Sequence, residues 1–113
     1  MKIYKRKKFE AAHKLKLPYN SACNNLHGHS YLCEIEIEGP LNKSGMVLDF
    51  QKIGEIINNF DHKYLNDILP QPTAENLVLF ILSKLKDEVK EGKIKVRIHE
   101  TETSYAEDEA VIE

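Results

Sequence analysis

The sequence predicts an α+β domain of two layers, a four-stranded antiparallel sheet with two helices on one face. Strand-like alternation near both ends of the chain brackets two stretches of helical spacing, and Gly- and Pro-containing breaks separate the segments. The resulting order is β-β-α-α-β-β, with no internal repeat or low-complexity run. A length of 113 residues suits a single domain, 1–113, with one core and therefore one principal site.

Residues Ile3 to Leu15 mix apolar and basic positions, and Phe9 and Ala11 alternate with charged neighbours, which predicts a first strand carrying His13 towards its far end. Tyr19 to Leu26 (YNSACNNL) is rich in turn formers and reads as a loop. From Tyr31 the odd positions are Tyr, Cys, Ile and Ile, whereas Glu34, Glu36 and Glu38 fill the even ones. That period of two buries one face and wets the other, and it assigns Cys33 to the core. Gly39-Pro40 ends the strand, and Asn42 to Gly45 makes the next turn. Asp49 is placed to cap a helix whose apolar residues Phe50, Ile53, Ile56, Ile57 and Phe60 share a face, stopping before Asp61 and His62. Pro72-Thr73 introduces the second helix, with Thr73 as N-cap and Leu77, Phe80, Ile81, Leu82 and Leu85 on the buried side. Gly92 breaks it, Ile94 to Ile98 alternates apolar and basic residues as a third strand, and Tyr105 to Ile112 forms the last. One sheet face and the edge strands remain uncovered, which points to assembly with other subunits.

Composition removes several classes of function. With 42% hydrophobic and 30% charged residues the chain is neither disordered nor fibrous, and a net charge of -2 gives no global field to attract nucleic acid. The charges are nonetheless unevenly placed. A basic start (Lys2, Lys5, Arg6, Lys7, Lys8) contrasts with an acidic end (Glu100, Glu102, Glu107, Asp108, Glu109, Glu113), read here as neighbouring strands with complementary solvated faces rather than as a nucleic-acid arm. No apolar stretch approaches the ~18 residues that span a bilayer, and no secretory leader is evident, so the expected location is cytoplasmic and no membrane partner is expected. In that reducing compartment the two cysteines are thiols, which leaves Cys23 available for chemistry.

The chemistry concentrates in Cys23-Asn24-Asn25-Leu26-His27-Gly28-His29. His27 and His29 are separated by one residue, so in extended backbone both imidazoles point to the same side. A strand pair would bring His13 close to them. Three neutral imidazoles with an open fourth position are what a catalytic Zn²⁺ uses, whereas two solvated loop histidines are the plainer alternative. Cys23 is placed either to close such a site as a fourth ligand, which marks structural zinc, or to act as a free thiolate. Asp61-His62 ends the first helix, where a histidine can simply complement the helix dipole or serve in proton transfer. In His99-Glu100-Thr101, Glu100 is either a solvated strand-end carboxylate or an acceptor for the N–H groups of a nitrogen heterocycle.

Taken together, Phe9-Glu10-Ala11-Ala12-His13, Cys23 with His27-Gly28-His29, Gly45-Met46-Val47 to Asp49-Phe50, Asp61-His62 to Leu65-Asn66, Pro72-Thr73-Ala74-Glu75-Asn76 and Glu100-Thr101 resemble the 6-pyruvoyltetrahydropterin synthase family. The three-residue interval between Cys23 and His27 is similar to that of its 6-carboxytetrahydropterin synthase branch. The resemblance implies a tunnelling fold (T-fold), in which subunits join their sheets into a barrel, as homo-oligomers that are trimers or paired trimers forming hexamers. It implies a zinc-dependent lyase acting on 7,8-dihydroneopterin triphosphate, a pterin, to give 6-carboxy-5,6,7,8-tetrahydropterin, acetaldehyde and triphosphate on the way to queuosine. Zn²⁺ would lie on His13, His27 and His29, with Cys23 as the base, Asp61 orienting His62, and His62 relaying protons. Glu100 with Thr101 would anchor the pterin, Thr73 and Glu75 would line the site from a neighbouring subunit, and Lys14, then Lys16, would meet the triphosphate. The redox change is internal to the substrate, and no G-x-G-x-x-G is present to bind a nicotinamide or flavin. The rival readings are a pyruvoyl-forming synthase, an aldolase-like lyase making 6-hydroxymethylpterin, against which Cys23 argues, and a zinc-stabilised binding module that uses Cys23 as a fourth ligand.

Overall fold

The computed structural model describes residues Met1–Glu113. In chain order the elements are β1 (Lys2–His13), β2 (His27–Glu38), α1 (Phe50–Ile57), β3 (Lys63–Tyr64), α2 (Ala74–Lys86), β4 (Gly92–Thr101) and β5 (Ser104–Ile112). The strands form one sheet in the order β3-β1-β2-β4-β5. The four long strands are antiparallel neighbours, as the alternation predicts.

The sheet has five strands rather than four, because two-residue β3 runs parallel to β1 at Ala11 and Ala12. Just before it the chain is pinned to β1: the His62 N–H donates to the Glu10 carbonyl at 2.7 Å, and the Glu10 N–H donates to Asp61 Oδ1 at 3.0 Å. A strand of two residues carries no periodicity, so only tertiary contact reveals it. The first helix also ends sooner than its apolar spacing suggests. It stops at Ile57 and tightens into a 3₁₀ turn over Asn58–Phe60, which still buries Phe60 while leaving Phe50 exposed at the first position. Both helix caps form as expected: Asp49 Oδ1 accepts from the Gln51 N–H at 2.8 Å, and Thr73 Oγ1 accepts from the Asn76 N–H at 3.2 Å.

One face of the sheet meets the helices. Phe9 and Ala11 of β1, Tyr31, Cys33, Ile35 and Ile37 of β2, and Ile94, Val96 and Ile98 of β4 are buried against Ile53, Ile56 and Ile57 of α1 and Leu77, Ile81 and Leu85 of α2. Phe9 stacks on Tyr31 with ring centroids 4.7 Å apart. Phe80 is half-buried at the margin, 5.1 Å from Phe60. The opposite face is polar and uncovered by any helix.

The basic and acidic terminal strands, expected to be neighbours, lie at opposite ends of the four long strands. β1 pairs with β2 and β4 with β5, so the charges find partners within those strand pairs: Lys2 with Glu36 at 2.8 Å, Arg97 with Glu107 at 2.7 Å and Lys93 with Glu109 at 3.4 Å. No helix is long and apolar enough to cross a membrane.

Candidate metal centre and active site

The β1–β2 register sets His13 directly across from His27 and Ala11 across from His29. All three histidines occupy the strand positions that face the helices, in phase with buried Tyr31. Their rings converge with centroids 4.5, 4.9 and 5.2 Å apart, and one nitrogen from each lies within 4.8 Å of the other two. His27 and His29 belong to β2 itself, which begins four residues earlier than its hydrophobic alternation shows.

Backbone carbonyls determine the protonation pattern. His13 Nδ1 lies 2.7 Å from the Pro72 carbonyl and His27 Nδ1 lies 2.7 Å from the Asn25 carbonyl. A carbonyl only accepts, so each Nδ1 carries the hydrogen and each Nε2 presents a lone pair. Those two Nε2 atoms face each other at 3.0 Å. Two lone pairs so placed repel unless a proton or a metal cation is shared between them. His29 Nε2 is buried with no hydrogen-bond partner, although Glu100 Oε1 stands 3.4 Å away. Burial holds the His29 imidazole below its ordinary pKa, and Glu100 opposes this only in part. Two carbonyl-oriented imidazoles converging with a third whose Nε2 is otherwise unpartnered fit a divalent metal.

Tyr31 forms the floor of this cluster. Its hydroxyl stands 3.4 and 3.5 Å from the two His13 nitrogens, and burial pushes the phenol pKa up, keeping it neutral. Sequence reasoning assigned Tyr31 only to the core; its identical strand phase with His27 and His29 was the available signal. The orienting carbonyls of Pro72 and Asn25 had none, since any residue supplies a carbonyl.

Cys23 sits in a 3₁₀ turn, Ala22–Asn24, as a half-buried free thiol. Ser21 Oγ accepts from the Cys23 N–H at 3.1 Å, and the Cys23 carbonyl accepts from the Leu15 N–H at 2.8 Å, so the turn is tied to the chain leaving β1. The convergent donors are the three imidazoles alone, and the thiol is not among them.

Asp61 and His62 lie elsewhere, on the outer side of β1. Asp61 Oδ2 contacts His62 Nδ1 at 3.1 Å, and the Glu10 backbone N–H, followed by His62, keeps the Asp61 carboxyl below its ordinary pKa. The His62 side chain is 81% exposed, and no hydrogen bond links it to Cys23 or to the imidazole cluster. Its backbone takes the left-handed conformation, φ 56°, where the chain turns from Asp61 into β3.

Glu100 and Glu75 line one cleft of about 180 Å³ with Ala74, Ser104, Tyr105 and Ala106. Ala74 and Glu75 therefore reach the Glu100 side of the sheet within the same chain. This follows from α2 packing across β4 and β5 with its first turn above the β4–β5 hairpin. Thr101 is exposed, with its hydroxyl accepting from the Thr103 N–H at 3.3 Å in the hairpin turn. Lys14 and Lys16 extend beyond β1 with exposed side chains. Asn66 brackets the Lys14 backbone at 3.0 and 2.9 Å, and Gln71 does the same for Lys16 at 2.9 and 3.0 Å.

Comparison with known proteins gives the arrangement its context. A model of the 6-pyruvoyl tetrahydropterin synthase family matches residues 2–110. A Synechocystis sp. protein named 6-carboxy-5,6,7,8-tetrahydropterin synthase is 37% identical over 117 residues, covering 92% of this chain and 89% of its own. A Haemophilus influenzae protein of the same name is 31% identical over 137 residues, covering 94% and 96%. The structure of Caenorhabditis elegans 6-pyruvoyl tetrahydropterin synthase shares the fold, with a TM-score of 0.74 at 24% identity over 97% of this chain and 95% of that one. The match runs from the start of β1 into β5 and takes in both helices, and the chain belongs to the 6-pyruvoyl tetrahydropterin synthase family.

Proposed function

We propose that the chain is a zinc-dependent lyase that converts 7,8-dihydroneopterin triphosphate and one water to 6-carboxy-5,6,7,8-tetrahydropterin, acetaldehyde and triphosphate, a step towards queuosine. The observation that carries the reading is the opposed pair of Nε2 lone pairs on His13 and His27, beside the buried and unpartnered Nε2 of His29. These three residues would hold Zn²⁺, which when bound supplies a Lewis acid beside the hydroxyl-bearing side chain of the substrate. Cys23, outside the donor set, would be free to take the carbon-bound proton as a thiolate. Its absence from that set weighs against a zinc-stabilised binding module, which needs a fourth protein ligand.

Glu100 and Glu75 would accept hydrogen bonds from the ring N–H and amino groups of the pterin, with Thr73 holding the first turn of α2 and Thr101 the hairpin beside them. Leaving one buried partner of such a hydrogen bond unmatched costs ~1–3 kcal/mol, which selects for the pterin edge. Lys14 would meet the triphosphate. Asp61 would orient His62 for proton relay, and the outward exposure of His62 supports a site completed in a homo-oligomer, a trimer or a hexamer of paired trimers. A reducing, cytoplasmic setting would keep the Cys23 thiol reduced.

The test is turnover of 7,8-dihydroneopterin triphosphate by zinc-loaded protein, with products separated by mass, beside Cys23→Ala. A 6-carboxypterin with acetaldehyde, lost in the variant, is expected. A 6-pyruvoyl or 6-hydroxymethyl product would keep the metal centre and overturn the branch, and a zinc-loaded protein without turnover would overturn the lyase.

A further inference from the structure

Beyond His13 the chain keeps the alternation of β1 with no strand beside it. Lys14 and Lys16 are exposed, and Leu15 and Leu17 are half-buried. Successive residues of an extended segment turn their backbone groups to opposite edges, so this segment has two edges to satisfy. Side chains and a turn satisfy them. On one edge Asn66 Oδ1 accepts from the Lys14 N–H at 3.0 Å while Asn66 Nδ2 donates to the Lys14 carbonyl at 2.9 Å, and Gln71 repeats the pair on Lys16 at 2.9 and 3.0 Å. A carboxamide offers an acceptor and a donor side by side, as a neighbouring strand does.

The other edge carries the thiol turn. The Leu15 N–H donates to the Cys23 carbonyl at 2.8 Å, and the Leu17 N–H donates to Asn24 Oδ1 at 3.0 Å. Asn24 Nδ2 in turn donates to the Tyr19 carbonyl at 3.1 Å, which closes the loop between them. Within itself the turn has only short-range bonds, such as those from the Cys23 N–H to Ser21 Oγ and from the Asn24 N–H to the Ser21 carbonyl, and it buries no residue. A 3₁₀ turn with nothing buried does not fix its own place. Its place is set by what flanks it: β2, which begins at His27, and the Lys14–Leu17 segment.

Both carboxamides come from the connection between β3 and α2, and that connection also holds the imidazole cluster. Gln71 is fastened to the first turn of α2, its carbonyl accepting from the Thr73 N–H at 2.9 Å and from Asn76 Nδ2 at 2.8 Å. The next residue, Pro72, supplies the carbonyl that orients His13. Asn66 lies in the 3₁₀ turn Leu65–Asp67, which fully buried Leu65 anchors to the core. One connection thus fixes the imidazoles through a carbonyl and the thiol turn through two side chains.

We propose that Asn66 and Gln71 are positioning residues: acting through the Lys14–Leu17 segment, their carboxamides hold the Cys23 thiol at a set place relative to His13, His27 and His29. This rests on the lyase reading above, in which Cys23 takes the substrate proton, and it names what keeps that base in line. Alignment of this kind matters, because a reacting group displaced by about 1 Å can lose on the order of 100-fold in rate.

The rate of Cys23 alkylation by iodoacetamide tests it, read by peptide mass on the zinc-loaded protein, with fully buried Cys33 as the internal record of unfolding. Asn66→Ala and Gln71→Ala should each speed alkylation of Cys23 by at least about fivefold, because each removes a donor and an acceptor from a segment that opens locally. Cys33 should stay protected and zinc should stay bound. Asn42→Ala, which removes a side-chain acceptor from the Ser44 and Met46 N–H groups in another turn, should leave Cys23 at the wild-type rate whatever it costs in melting temperature. Turnover separates the thiol from Lys14, which lies in the same segment: kcat should fall by at least about tenfold in the two alanine variants with KM little changed. A KM raised alone would assign the segment to the triphosphate and overturns the proposal. So does a Cys23 rate unchanged in both alanine variants, or raised as much by Asn42→Ala. A variant that labels Cys33 together with Cys23 has unfolded; Asn66→Asp and Gln71→Glu, which keep the acceptor and lose the donor, are then the readout, and an unchanged Cys23 rate there also overturns it. Alkylation needs no substrate, so this proposal and the lyase reading fail independently.

Discussion

His13 is fully buried, and its contacts show how a polar residue is tolerated there: Nδ1 donates to the Pro72 carbonyl while Nε2 faces the Nε2 of His27. The arrangement is balanced only when a cation occupies the space between the rings. His13→Gln keeps the size of a polar side chain but loses the imidazole geometry, and zinc affinity is expected to fall by at least about 10–100-fold, read by competition with a chelating dye. Retained affinity would show that the cluster does not hold the metal. Asp61 tests a different link. In Asp61→Asn an amide oxygen can still accept from the Glu10 N–H, so the fold should survive, while the charge facing His62 is gone. Turnover is expected to fall on the order of 100-fold, with the melting temperature only slightly lowered by loss of the charged acceptor. At this scale the sequence was informative for side chains that share a strand phase, such as His27 and His29. It was silent on their orienters, because the Pro72 and Asn25 carbonyls carry no residue signature.

Strands and helices were legible wherever a face repeats. The alternation of Tyr31 to Glu38 and the helical spacing of Leu77, Ile81 and Leu85 reappear as buried faces. The extension of β2 back to His27 was not legible, because that end alternates histidine with Gly28 and Ser30 instead of apolar with charged residues; its pairing with β1 decides it. Gly92, read only as a helix breaker, has a stricter task at the start of β4. Its φ is 128°, and a Cβ there would lie 1.9 Å from the Glu38 carbonyl oxygen, a backbone atom that cannot move aside without parting β2 from β4. Gly92→Ala is expected to cost at least about 2 kcal/mol, seen as a melting temperature lowered by roughly 8 °C or more. A variant that melts with wild type would remove this constraint from the account of the hairpin.

For the molecule as a whole, stability depends on pH through the buried His29. Burial lowers the His29 pKa from 6.5, so below that value the unfolded chain takes up a proton that the folded chain resists. More protons bound by the unfolded state means that stability rises with pH. The contribution of His29 is complete above about pH 6.5 and is lost as pH falls through its lower folded value. Metal-free protein should therefore lose melting temperature on acidification from about pH 7 to 5, before the lowered carboxylates Glu34, Glu36 and Asp61 begin to titrate. His29→Gln should flatten that part of the profile, and an unchanged slope would remove His29 as its source. Bound zinc should raise the melting temperature at neutral pH and lose that effect on acidification, since protons compete for the same nitrogens.

The sequence by itself determined the layers, the helix caps, most residues of the core and the family, because each is written in local periodicity or in motifs of fixed spacing. Tertiary structure alone decided that His13 lies opposite His27, that Glu75 shares a cleft with Glu100, that His62 points outward, and that the basic and acidic strands end on opposite edges. All four depend on strand register and on which strands become neighbours. Those are properties of contacts between residues far apart in the chain, where local periodicity gives a face but not a partner.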